Sequence, residues 1–92
     1  MTFQELIAKH TLNNAQFIQH MGTLERAVGQ VSYVWSGDLR NPYLHTNICL
    51  AQDAGILTTE YTESEQESGY YVKWADDAKA KIESLSNEAK AQ

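Results

Sequence analysis

The stretch 41–74, NPYLHTNICLAQDAGILTTEYTESEQESGYYVKW, constrains the fold more than any other part of the chain. It reads in order as a helix start, a helix, a glycine stop, a strand, an acidic loop and a second strand. Asn41 can cap the free amides of a helix, and Pro42 at the first helical position loses no hydrogen bond. Leu44, Ile48, Cys49 and Ala51 recur at helical spacing, and Gly55 supplies the left-handed residue that ends such a run. Residues 56–61 and 70–74 are β-branched or aromatic with a period of two, which predicts two strands. Glu60, Glu63, Glu65 and Glu67 fall across the junction with no basic residue among them.

The segments on either side supply helices. Thr2 and Glu5 fit a capping box, and Phe3, Leu6, Ile7 and His10 mark one face of a short helix over 2–10. Residues 11–14 form a break in which Asn13 can cap a second helix, with Phe17, Met21, Leu24 and Val28 as its core stripe. Gly22 weakens that helix and Gly29 ends it. Residues 31–35 alternate as a short strand, a helical continuation to Trp35 being the competing reading, and 36–38 make a turn. Asp76 or Asp77 can cap a last helix, with Ala78, Ile82, Leu85 and Ala89 inward and Lys79 paired to Glu83. Its final residues, EAKAQ, should fray.

Ninety-two residues form one domain with a thin core. No apolar run approaches the roughly 20 residues a membrane helix needs, and MTFQELIAKH does not read as a secretory signal. A single cysteine makes no internal disulfide, so the expected setting is a reducing cytoplasm. The net charge of −5 is unevenly placed. Acids and bases cancel over 1–52 and again over 70–92, leaving Asp53, Glu60, Glu63, Glu65 and Glu67 as the whole imbalance. A field concentrated in this way repels phosphate and attracts basic protein surfaces.

The expected class is α+β: a small single domain of helices plus a β-hairpin, ordered helix-helix-strand-helix-strand-strand-helix. That order resembles a winged-helix domain, and LAQDAGILTTEY…GYYVKW resembles the passage from recognition helix into wing. The charges oppose the DNA contact that such a fold implies. The helix over 42–54 offers Asn47 and Gln52 but no Lys or Arg, and the wing carries Glu63, Glu65 and Glu67. Direct binding of duplex DNA is therefore not expected.

Chemistry is sparse. His45, Cys49 and Asp53 share one helix face at four-residue spacing, which would suit a cysteine nucleophile with its base or half of a zinc site. His10 and His20 stand alone on other helices, so neither set is complete. The simpler account is a buried cysteine acting as a small apolar residue. Asp76 and Asp77 are explained by the helix dipole. No catalytic residue, metal ligand or cofactor is expected. A cysteine- or metal-dependent enzyme would lose activity in Cys49→Ser.

The expectation is instead a protein-binding surface made of Glu60, Glu63, Glu65, Glu67 and Asp53 with Tyr61 and Tyr71. In size, composition and the acid run ESEQES, the chain resembles small phage-encoded anti-CRISPR proteins, among them inhibitors of the type I-F surveillance complex. That resemblance implies a protein partner with a basic, nucleic-acid-binding surface, such as a CRISPR ribonucleoprotein complex, met in the host cytoplasm and not at a membrane. The second expectation is a winged-helix regulator or adaptor of transcription. A basic patch formed by Arg26, Arg40, Lys73 and Lys79 would favour it, and its absence would favour the inhibitor.

Overall fold

A computed structural model describes residues 1–92. The chain runs α1 (Phe3–His10), α2 (Asn14–Ala27), β1 (Tyr33–Trp35), a single 3-10 turn at Asp38–Arg40, α3 (Pro42–Asp53), β2 (Leu57–Glu63), β3 (Ser68–Trp74) and α4 (Ala78–Lys90). This is the expected α+β class and the expected order of elements.

Local chemistry sets the boundaries. Thr2 and Glu5 form the predicted capping box, and the backbone N–H and then the hydroxyl of Thr2 hold the Glu5 carboxyl below its usual pKa. Asn13 caps α2 in the same reciprocal way with Gln16. Asn41 accepts from the Tyr43 amide ahead of Pro42. Gly29 and Gly55 both take positive φ, 76° and 72°, where a Cβ would be strained. The helical alternative for 31–35 is lost, because after Gly29 the backbone enters the sheet.

The sheet is antiparallel with β3 in the middle, flanked by β1 and β2. Tyr70 pairs with Val34 on one side and Tyr61 on the other, so alternation sends Val34, Leu57, Val72 and Trp74 to one face. That inner face covers the core. Phe3 and Phe17 meet edge to face, 5.0 Å apart, beside Leu6, Met21, Leu24, Leu50, Ile56 and Ile82. The Trp74 indole N–H is satisfied by the Val31 carbonyl at 2.7 Å.

Four expectations need correction. The buried line of α3 is Asn47, Leu50 and Ala51, with Leu44, Ile48 and Cys49 only half-buried. This helix contacts α1, α2 and β2, so the face turned fully inward differs from the simple apolar stripe. Asp77 occupies the α4 cap position without capping. Its carboxylate meets Lys81 at 3.6 Å, and no Lys79–Glu83 pair forms. Lys81 also donates to the Gly55 carbonyl at 2.9 Å, tying α4 to the end of α3. Finally, the C-terminus is held, since Asn14 donates to the Ala89 carbonyl and Gln4 to Gln92.

Candidate protein-binding site

Glu60 lies in β2, as the predicted strand over 56–61 has it, and β2 runs on to take Glu63 out of the loop as well. The connection between the strands is only Ser64-Glu65-Gln66-Glu67, closed by the Ser64 amide donating to the Glu67 carbonyl at 2.7 Å. The Ser64 hydroxyl then accepts from the Gln66 and Glu67 amides, which fixes the tip. All four glutamates are exposed. Because side chains alternate along a strand, Glu60 stands on the outer face and Glu63 on the inner one. The acids therefore surround the hairpin instead of lining one side.

None of these glutamates forms an ion pair within the chain. The chain forms ion pairs at Lys9–Asp53 and Lys81–Asp77, and His10 is hydrogen-bonded to the same Asp53 carboxylate. Asp53 thus leaves the acidic group predicted for it. Its Oδ2 lies 2.8 Å from both Lys9 Nζ and His10 Nε2, where α1 meets the end of α3. The Lys9 hydrogen bond is the main cause of its lowered carboxyl pKa, with His10 adding to it against partial burial.

Aromatic side chains border the acids on the outer face of the sheet. Tyr33 and Tyr71 face each other across β1 and β3, with ring centroids 5.4 Å apart. Trp35 is 48% exposed, Tyr61 54% and Tyr71 57%. Two glycines make room for this layer. A Cβ on Gly69 would run into the Tyr33 ring, and one on Gly37 would meet the Trp35 indole at 2.5 Å. The Tyr33 hydroxyl has its pKa raised, first by partial desolvation and then by the Glu67 carboxylate beside it. Tyr61 instead packs edge to face with Tyr70 on the inner side, at 5.3 Å. The predicted pair Tyr61 and Tyr71 is thus exposed on opposite faces of one hairpin.

The His45–Cys49–Asp53 set is divided. His45 Nε2 and Cys49 Sγ are 3.7 Å apart, beside a crevice of about 130 Å³ lined by Leu39, Ile48, Gln52 and Tyr70. Asp53 turns away to α1, so no carboxylate orients His45. No group of three His, Cys, Asp or Glu residues is arranged to hold a metal ion.

The residues of α3 expected to offer base contacts are also occupied. Asn47 is 2% exposed and its Oδ1 accepts from His20 Nδ1 at 2.5 Å. His20 in turn stacks on Tyr43, centroids 4.4 Å apart. Gln52 donates to the Thr59 hydroxyl. Lys73 lies on the outer sheet face near Glu60, whereas Lys79 lines a groove between α2 and α4 with Glu25 and Glu83. The His20–Asn47 pair and the outward Trp35 were not read from the sequence. For Trp35 the signal was available, because strand alternation places it opposite to Val34.

No helix is long and apolar enough to cross a membrane. Comparison with protein-family models, with characterised proteins and with solved structures finds no match for this chain.

Proposed function

We propose that this protein is an acidic binding protein that occupies a basic, nucleic-acid-binding surface of a protein partner, acting as an inhibitor. One observation carries the reading. Glu60, Glu63, Glu65 and Glu67 are exposed on and around one hairpin, and none of them forms an ion pair with a base of the chain. Their carboxylates stand in for phosphates, and Lys or Arg of the partner meets them through charge-assisted hydrogen bonds. Tyr71, Trp35 and Tyr61 supply apolar area around the charges, of the kind that anchors interfaces. Association is fast and salt-sensitive. A phage anti-CRISPR protein that blocks target-DNA recognition by a CRISPR ribonucleoprotein complex is the biological form this reading takes.

The test is capture of partners from native host lysate at low and at moderate salt, followed by mass spectrometry. The variant with Glu60, Glu63, Glu65 and Glu67 all changed to Gln runs beside it. The expected result is a nucleic-acid-binding complex that is lost in the variant and displaced by added duplex DNA. Recovery of DNA itself, or a partner indifferent to the variant, overturns the proposal and favours the winged-helix regulator.

A further inference from the structure

The strand β2 is an edge of the sheet, since its only strand neighbour is β3. The ladder register decides which of its backbone groups are free. Val72 N–H donates to the Ser32 carbonyl at 2.8 Å and Ser36 N–H to the Ser68 carbonyl at 2.9 Å, so the even positions of β3 face β1. Its odd positions therefore face β2, as the Ala75 N–H to Ile56 carbonyl bond of 2.9 Å confirms. On β2 the inward positions are then Thr58, Glu60 and Thr62, paired in register with Lys73, Tyr71 and Gly69. Thr59, Tyr61 and Glu63 point their N–H and C=O groups outward, away from the sheet. From α3, Gln52 reaches Thr59 through its side chain, while Tyr61 and Glu63 beyond it are exposed.

A bare edge of this kind is a template for another strand. We infer that β2 receives an extended, basic segment of the partner as a fourth, antiparallel strand, bonded to the outward backbone groups of Thr59, Tyr61 and Glu63. This inference rests on the reading of the acidic hairpin as the binding surface, and it adds how the surface is engaged. Charge selects the occupant. A second copy of the chain would set four hairpin glutamates beside four others, whereas a strand bearing Lys or Arg meets complementary charge.

The register specifies the segment further. In an antiparallel addition, the residues opposite Glu63 and Glu60 are three positions apart and project to opposite faces. The residue opposite Tyr61 lies between them and meets a ring that is 54% exposed. The preferred pattern is basic, any residue, apolar, basic.

The probe is an acetylated, amidated eight-residue peptide containing Arg-Thr-Val-Arg, with a control in which both arginines are glutamate. Amide exchange and chemical shifts of the full chain are followed during titration. Arg-peptide binding should slow exchange at Thr59, Tyr61 and Glu63 on the order of tenfold or more. Thr58, Glu60 and Thr62, already bonded to β3, should change little, and the Glu peptide should not bind. In a second arm, Tyr61→Pro deletes an outward N–H while sparing the β3 ladder, and should weaken the Arg peptide. If that variant does not fold, exchange on the unaltered chain still decides.

Shifts confined to the hairpin tip or the Tyr33–Tyr71 face, with no new protection at those amides, overturn edge pairing while leaving the acidic surface intact. No binding of the Arg peptide overturns edge pairing as well, whatever the lysate capture finds. So does sedimentation that reveals a dimer joined through β2.

Discussion

Asn47 illustrates how far a single side chain can depart from its apparent role. On a helical wheel it is a polar residue between Leu44 and Leu50, as suited to an exposed contact as to the core. Its burial depends on His20, 27 positions earlier, and no local pattern carries that information. Asn47→Leu leaves a buried ring N–H without its acceptor and should cost about 1–3 kcal/mol. Changing both partners, His20→Phe with Asn47→Leu, should recover much of the loss, measured by urea denaturation of the two single variants and the double. Asp53 makes the opposite point, since its acidity was visible but its partners were not. Its folded pKa is lowered from 3.8, so the contribution from Lys9 and His10 is full above that value. It is lost as pH falls through the depressed folded pKa. Asp53→Asn should therefore cost on the order of 1 kcal/mol at neutral pH and lose that part of the acid-side decline. Denaturation free energies compared between neutral and acidic pH would check both.

At the level of elements, what was legible is what local backbone chemistry decides. Thr2 with Glu5, Asn13, and Asn41 with Pro42 each start a helix using residues within three positions, and each start was predicted. Gly55 likewise ends α3 at positive φ, as its place after an apolar run implied. The hairpin is legible as two alternating runs over 56–61 and 70–74, which leave too long a loop between them. Thr62 and Glu63 extend β2 past the predicted 56–61 because their partners Gly69 and Ser68 lie across the ladder, and pairing overrides the weak strand preference of glutamate. The place of Gly69 in the middle strand was equally hidden. Between Trp35 and Thr62 in the register it leaves space that the Tyr33 ring occupies. Gly69→Ala would drive a Cβ into that ring and to 2.6 Å from the Val34 carbonyl oxygen. It should destabilise by about 1–3 kcal/mol, as overpacking does. Loss of the Tyr33 ring's contacts should accompany it, seen as changed aromatic shifts for Tyr33 and Tyr71.

For the molecule as a whole, charge and core have been separated in space. Buried apolar side chains draw on all four helices and all three strands, while the uncompensated acids sit on the hairpin beyond them. The sequence displayed this separation directly, because the imbalance follows from counting residues along the chain. It did not display that Asp53 belongs to an ion pair or that the glutamates divide between two faces, since both depend on long-range pairing. Four carboxylates on one short hairpin carry like charge within about a Debye length of one another, and such self-repulsion works against the compact state. Removing the charge should therefore stabilise the fold even as it removes binding. The variant with Glu60, Glu63, Glu65 and Glu67 changed to Gln should unfold a few degrees higher than the parent at low salt. The two should converge at molar salt, where exposed charges are screened. Calorimetry across a salt series would measure this beside partner capture. A variant that gains stability and loses its partner marks the carboxylates as retained for binding. A variant that loses both stability and partner would instead show that the acids hold the hairpin together, and its failure to bind would say nothing about mimicry.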